Sequence, residues 1–286
     1  MIDFELSVSV EFTLNDAAII RLLTSDDVPQ AFELSSMAGW NQTADDWISL
    51  LRLAPEGCFG VEIKNRLAAT TTLFCYGTSL AWIGMVLTHP DFRRQGLATK
   101  LLRHVLAIAD KLAIRTLKLD ATEMGQPLYR SLGFVPEQSV ERWVRSSGLT
   151  PVAGSPGSSD SSSWEELDRT AFGADRGFLL NALLQQGECN STSGGCLLTR
   201  AGRNASYLGP CVVKDAHSAR ELLELGLRVP SVDGWYWDIL PANRDATALA
   251  KEFGFAPQRR LVRMSRGEPL RGREEFIYAI AGFEFG

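Results

Sequence analysis

Ile83-Gly84-Met85-Val86-Leu87-Thr88-His89-Pro90-Asp91-Phe92-Arg93-Arg94-Gln95-Gly96-Leu97-Ala98-Thr99-Lys100 is the stretch that decides the fold. Its first part is apolar and partly β-branched, the pattern of a strand. Pro90 ends that strand, because proline has no N–H to give a ladder. A helical period follows at once, with Leu97, Leu101, Leu102, Val105, Leu106 and Ala109 on one face. Between strand and helix, two arginines precede a glycine. A helix start presents unpaired N–H groups and a partial positive charge, and Gly96 admits a close approach to the backbone. Strand, basic glycine loop and helix together make a cradle for a pyrophosphate, though solvated arginines beside an ordinary turn would read the same way.

Working outward, Ala18 to Leu23 reads as a strand. Val28 to Ala38 and Thr43 to Leu53 read as helices, broken by Gly39-Trp40-Asn41-Gln42. Strands follow at Cys58–Ile63, Leu67–Tyr76 and Ser79–Thr88, with turns at Asn65-Arg66 and Gly77-Thr78. Beyond the long helix, Thr116 to Ala121 is a strand, Gln126 to Leu132 a short helix stopped by Gly133, and Ser139 to Arg145 a strand. Antiparallel hairpins around a single helical crossover give a mixed α/β layout.

Residues 146–163 are rich in Ser, Gly and Pro, the composition of a linker. They divide the 286 residues into a first domain, 1–145, and a second, 164–286. The second half repeats the order of the first. Cys196–Arg200 and Ser206–Val213 read as strands, Ala216–Leu225 as a helix, Trp235–Leu240 as a strand and Asp245–Phe253 as a helix ended by Gly254. Leu128-Tyr-Arg-Ser-Leu-Gly133-Phe-Val-Pro is echoed by Leu249-Ala-Lys-Glu-Phe-Gly254-Phe-Ala-Pro. Gly96 precedes Gly133 by 37 positions, as His217 precedes Gly254. We read a tandem repeat of one fold.

A net charge of −5 without a polybasic block argues against nucleic acid as the main partner. No run is long and apolar enough to span a bilayer, and no signal-peptide pattern is visible, so no membrane partner and a cytoplasmic location are expected. Five scattered cysteines, at 58, 75, 189, 196 and 211, fit free thiols in a reducing compartment. Three histidines, His89, His104 and His217, form no metal-ligand pattern, so no metal is expected.

Arg93-Arg94-Gln95-Gly96-Leu97-Ala98, following a strand and opening a helix, resembles the Arg/Gln-x-x-Gly-x-Gly/Ala loop of the GNAT acyl-CoA N-acyltransferases. Tyr129 to Phe134 is similar to a second motif of that superfamily, at the expected distance downstream. Through Leu119-Asp-Ala-Thr122, Leu261-Val-Arg-Met264 and Ile280-Ala-Gly-Phe-Glu284 the chain resembles a two-domain subgroup with a degenerate second domain. The resemblance implies two tandem domains, each a mostly antiparallel sheet with a splayed parallel pair, flanked by helices. It implies acetyl-CoA as acyl donor, with its pantetheine arm along the backbone of Val86, Leu87 and Thr88. Its pyrophosphate would lie on Arg93, Arg94, Gln95, Gly96, Leu97, Ala98 and Thr99.

The chemistry then asks for a neutral amine, a route for its proton, donors for the oxyanion and a proton for the leaving thiolate. The resemblance places Tyr129 as that last acid. Asp120, near the end of its strand, is the candidate base, with Glu123 as a second choice; capping and solvated carboxylates would look alike. The superfamily often has an Asn near Thr122, and this chain does not. Trp40 and Asn41 at the helix break are candidates for the acceptor pocket, with Trp47 beside them as pocket or core. In the second half Lys214-Asp-Ala-His217-Ser-Ala219 lacks the glycine, and Ala250 stands where Tyr129 would be. That half is expected to shape the cleft and not to bind acetyl-CoA. The activity implied is acetyl transfer to a primary amine of a small molecule by direct attack in a ternary complex. A non-catalytic acyl-CoA sensor or scaffold, and a lysine or N-terminal protein acetyltransferase, are the alternatives. The oligomeric state stays open.

Overall fold

The computed structural model describes residues 18–146, 164–228, 231 and 233–286. All but the first residue of the Ser/Gly/Pro-rich segment lies outside them. The first half runs β1 (Ile19–Leu22), α1 (Val28–Met37), α2 (Ala44–Leu53), β2 (Cys58–Ile63), β3 (Arg66–Tyr76), β4 (Leu80–Thr88), α3 (Leu97–Lys111), β5 (Thr116–Ala121), α4 (Gln126–Ser131) and β6 (Val135–Arg145). The second runs α5 (Trp164–Phe172), α6 (Gly177–Leu184), β7 (Gly187–Thr192), β8 (Gly195–Arg200), β9 (Ser206–Val213), α7 (Ala216–Gly226), β10 (Trp235–Ile239), α8 (Arg244–Glu252), β11 (Ala256–Gly267) and β12 (Ile277–Ala279). Helices α5 and α6 and strands β7, β11 and β12 add to what the sequence pattern marks, and β6 starts four residues earlier than that pattern suggests.

The fold is mixed α/β with a mostly antiparallel sheet. The strands join into one sheet, ordered β1-β2-β3-β4-β5-β11-β6-β10-β9-β8-β7, with β12 beside β9. The order reads alike from both ends toward the centre. Two pairs are parallel, β4 with β5 and β9 with β10. The last long strand of each half crosses over. β11 lies antiparallel between β5 and β6, and β6 lies antiparallel between β11 and β10.

Two equivalent ion pairs mark this crossing. Arg263 on β11 forks onto Asp120 of β5, with both bonds at 3.0 Å. Arg142 on β6 forks onto Asp238 of β10 at 2.8 and 2.6 Å. Both arginines stand nine residues beyond the glycine that ends the short helix, Gly254 and Gly133. Buried charges need such pairing, because an unpartnered one would carry the whole desolvation cost.

Three larger apolar clusters and one small one surround the sheet. α3 and α4 cover β2 to β5 through Leu101, Leu102, Val105 and Phe134. α7 and α8 cover β8 to β10 through Leu222, Leu223, Ala246 and Trp237. The third cluster is shared between halves, joining Trp47, Trp82 and Leu87 to Trp164, Leu180 and Phe285.

Candidate active site

β4 and β5 pair only at Leu80, Ala81 and Trp82, opposite Thr116, Leu117 and Lys118. Beyond Trp82 the register with β5 ends, so the strands part. On its other side β4 carries a bulge, with Thr70 opposite Leu87 but Thr72 opposite Gly84. Met85 there has a φ of 49°, and the Thr70 hydroxyl donates to its carbonyl at 2.7 Å. A bulge inserts a residue and re-aims the strand. The effect shows in packing: Ile83 and Val86 face the α3 side, while Trp82, Met85 and Leu87 face the shared core.

From the open end of β4 the chain passes through Pro90–Phe92 to α3. Arg93, Arg94, Gln95 and Gly96 are all exposed, and Leu97 is buried in the core. Arg94 has a φ of 62° and Gly96, the N-cap, a φ of 76°. No side chain caps this helix, and a Cβ on Gly96 would meet nothing within 4 Å. Bare N–H groups, left-handed backbone and two arginines form a concave, positively polarised surface.

A cleft of about 250 Å³ opens at the splay. Val86, Thr88, Ala98 and Tyr129 line it on the α3 side. Tyr129 is buried and packs edge-on against Phe134 at 6.1 Å. Among the described residues its hydroxyl has no hydrogen-bond partner. Burial raises its pKa, so the phenol holds its proton at neutral pH.

The opposite wall carries Gln42, Arg142, Arg259, Phe283 and Glu284, to which the sequence reading gave no role in the site. Segment Ile280–Gly286 lies across β4 and is tied down from both halves. Trp82 Nε1 donates to the carbonyl of Phe283 at 2.9 Å and the Tyr76 hydroxyl to that of Phe285 at 2.8 Å. Arg200 donates to Ala281 at 2.7 Å and Arg176 to Gly286 at 2.9 Å. Gly84 makes the crossing possible, since a Cβ there would lie 2.9 Å from the Glu284 carbonyl oxygen. The Glu284 backbone therefore sits over the point where β4 and β5 separate; the residue is buried and lines the cleft, with its carboxylate beside Gly282 and Gln42. Burial raises its carboxyl pKa, against the pull of Arg200.

Comparison with known proteins identifies this architecture. Residues 22–134 match the Acetyltransferase (GNAT) family, and residues 165–279 match an Acetyltransferase (GNAT) domain. The chain belongs to the GNAT superfamily. That superfamily comprises acyl-CoA-dependent N-acyltransferases, and this chain carries two of its domains in tandem. An uncharacterized N-acetyltransferase of Bacillus subtilis strain 168, YitH, is 26% identical over 185 residues, spanning 62% of this chain and 62% of that protein. A Pyrococcus horikoshii protein described as an acetyltransferase shares the fold with a TM-score of 0.83 at 24% identity, over 96% of this chain and 98% of that one. A GCN5-related N-acetyltransferase from Sphaerobacter thermophilus superposes with a TM-score of 0.64 at 17% identity, over 91% and 99%.

Within this GNAT frame the sequence-expected residues separate. Of the expected residues, Val86, Thr88, Ala98 and Tyr129 line the cleft together, Arg93–Gly96 lie exposed at the helix start beside it, and the Leu87 side chain packs in the shared core. Asp120 lines the cleft, but both its oxygens accept from Arg263. Burial raises its pKa while Arg263 lowers it. Glu123 is exposed in the following loop. Trp40 lines the cleft, whereas the Asn41 side chain turns into the other half. Its Nδ2 donates to the Ala205 carbonyl at 3.0 Å, and its Oδ1 accepts from the N–H groups of Asn204 and Ala205 at 2.8 and 3.1 Å. Asn41 thus fastens the two halves together. Trp47 is fully buried and donates to Ser35, which makes it core.

The second GNAT half has the same splay, since β9 and β10 pair only over Ser206–Leu208 and Trp235–Trp237. There the gap is filled. β12 pairs antiparallel with Cys211 and Val212 of β9, whose other edge is already taken by β8. Trp237 Nε1 holds Tyr278 at 2.7 Å and Asn243 Nδ2 holds Ile277 at 3.0 Å. The start of α7 is occupied too, because the Asp215 carboxylate accepts from the N–H of Ser218 at 2.8 Å.

Proposed function

We propose that the protein transfers an acetyl group from acetyl-CoA to the primary amine of a small molecule, by direct attack in a ternary complex. The observation that carries this reading is the open splay beside an uncapped, arginine-flanked helix start, with Tyr129 in the same cleft. The pantetheine arm takes the place of a strand along Val86, Leu87 and Thr88. The pyrophosphate takes the N–H groups from Arg93 to Thr99, where Gly96 leaves room for it. The division of the chain at residues 146–163 stands as a proposal beside it.

In the reaction the amine lone pair attacks the thioester carbonyl, and a strand N–H at Val86 or Leu87 receives the developing oxyanion. The C–N bond forms, the C–S bond breaks, and Tyr129 gives its proton to the departing thiolate. The proton lost by the amine goes to Glu284, which lines the same cleft. Asp120 acts through Arg263, holding that guanidinium 4.6 Å from the Trp82 ring centre and so fixing the wall that carries Glu284. Trp40 covers the acceptor side. A cleft of this size, walled on one side by residues of the second half, favours a small acceptor over a protein side chain.

Tyr129→Phe tests the reading, since it keeps the ring and its packing. Single-turnover transfer, with a panel of amines as acceptors, should fall by roughly ten- to a thousand-fold while acetyl-CoA affinity stays near wild type. Equal rates would leave Tyr129 as packing, and a chain that binds acetyl-CoA but turns over no amine would favour the sensor alternative.

A further inference from the structure

The far wall of the cleft carries two polar features of opposite kind that internal contacts leave partly unused. On β11, Arg259 stands directly opposite Arg142 of β6, just past a bulge that breaks the register after Pro257. Like charges directly opposite one another oppose pairing. One carboxylate, Asp238, serves this spot, and Arg142 takes both its oxygens, with the Tyr207 hydroxyl also donating to it. Arg259 has no hydrogen-bond or ion-pair partner among the described residues, although it is half-buried and lines the cleft. Burial and the neighbouring Arg142 lower its pKa, against the pull of Asp238.

The second feature is acceptor-rich. Glu284 is buried in the same cleft, and Gln42 turns its amide donor toward that carboxylate. The Gln42 Oε1 is buried without a partner among the described residues. A buried acceptor left unpaired costs free energy, so a site that keeps one is shaped for a donor from outside. The Arg142–Asp238 and Arg263–Asp120 pairs are each neutral. What remains in the cleft is one negative group beside an empty acceptor and one positive group with a free fork.

We infer that the acceptor is an amine that also carries a carboxylate, its amino end held by Glu284 and Gln42 Oε1 and its carboxylate by the Arg259 guanidinium. The inference rests on the acetyltransferase reading of this cleft and narrows its substrate to amino acids and amino-acid-like compounds. A planar guanidinium with free donors matches a carboxylate two bonds at a time. A polyamine would set a second cation against Arg259. A lysine side chain in a protein would leave that fork empty.

The test uses the full chain with acetyl-CoA and matched acceptors: L-amino acids, their carboxamides and the corresponding decarboxylated amines. In the wild type kcat/KM should favour the acids over the carboxamides by roughly ten- to a hundred-fold, the worth of one charge-assisted bond. Arg259→Gln should bring that ratio near one, and Arg259→Lys, which keeps the charge and loses the fork, should retain part of it. Calorimetry of the same acids and carboxamides reads the site without the chemistry. An Arg259-dependent preference for acids in binding, with no acetyl transfer, would uphold the inference and overturn the acetyltransferase reading. Acids and carboxamides used equally would overturn the inference alone. No binding and no turnover of any acid would overturn it as well.

Discussion

The two halves start from one plan and end with opposite answers at the same place. In the first, β4 and β5 part after Trp82 and the next helix begins on an uncapped glycine. In the second, β9 and β10 part after Leu208 and Trp237, but β12 lies in the gap and Asp215 caps the helix. Each feature proposed to bind acetyl-CoA in the first half has a piece of the chain itself in its place in the second. A strand stands in the place proposed for the pantetheine arm, and a carboxylate in that proposed for the phosphate. Where Tyr129 stands in one, the fully buried Ala250 stands in the other. A splayed sheet has unpaired backbone groups that need partners. In the second half an internal strand satisfies them; in the first, the proposed ligand would.

The largest effect should come from separating the halves. Removing residues 164–286 takes β11 from between β5 and β6, and β10 from the other edge of β6. It also strips Phe285, Trp164 and Leu180 from the core around Trp82. The remaining piece should be insoluble or inactive; a well-folded fragment of residues 1–145 with full turnover would show that the crossing strands are dispensable.

Next, acetyl-CoA should bind once per chain. Gly96→Glu, which fills the open space over the helix start and sets a carboxylate against the pyrophosphate, should weaken binding by roughly a hundred-fold or more. Titration calorimetry that finds two equivalent sites would erase the distinction between the splays. Asp215→Gly should not create a second site, because β12 still fills the gap.

A third measurement concerns the carboxylate that lines the open cleft. Glu284→Gln should lower kcat by roughly a hundred-fold or more. Burial raises the Glu284 pKa, so the wild-type rate should fall as pH drops through a value above the usual ~4.3 of glutamate. A pH–rate profile unchanged in its acidic limb by the substitution would exclude Glu284 as the proton acceptor.

The smallest effect tests the capped helix. Asp215→Ala should cost about 1 kcal/mol of stability in chemical denaturation. The bond from Ser218 N–H lowers the Asp215 pKa. That contribution is therefore present above the unfolded-state pKa of ~3.9 and is lost as pH falls through the lower folded value. An unchanged midpoint at neutral pH would remove the cap from the account.

Much of the α3 side was legible in the sequence. A helical period after Pro90, two arginines and Gly96 are local features, and local features fix a loop and a helix start. The apolar runs of β2 to β5 and the Gly-Phe echo at Gly133 and Gly254 were equally readable. The acceptor wall was not. Asn41 looked like a pocket residue at a helix break, yet its amide is spent on Asn204 and Ala205, more than 160 residues away in the chain. Glu284 closes the Ile280-Ala-Gly-Phe-Glu284 stretch that resembles the two-domain subgroup, but nothing nearby in sequence marks a lone glutamate between two phenylalanines as a cleft residue. One trace was present: Arg142 and Arg263 each follow their glycine by nine positions, a hint that both strands meet the same kind of partner.

The sequence by itself determined the elements, the tandem repeat and the phosphate-side loop, because each depends on residues within a few turns of one another. Only the tertiary structure decided that β6 and β11 exchange places, that β12 closes the second splay and that segment 280–286 lies over the first. Those outcomes depend on which unpaired strand edges find each other across the whole chain. A buried edge must be satisfied by something, and no local pattern records by what.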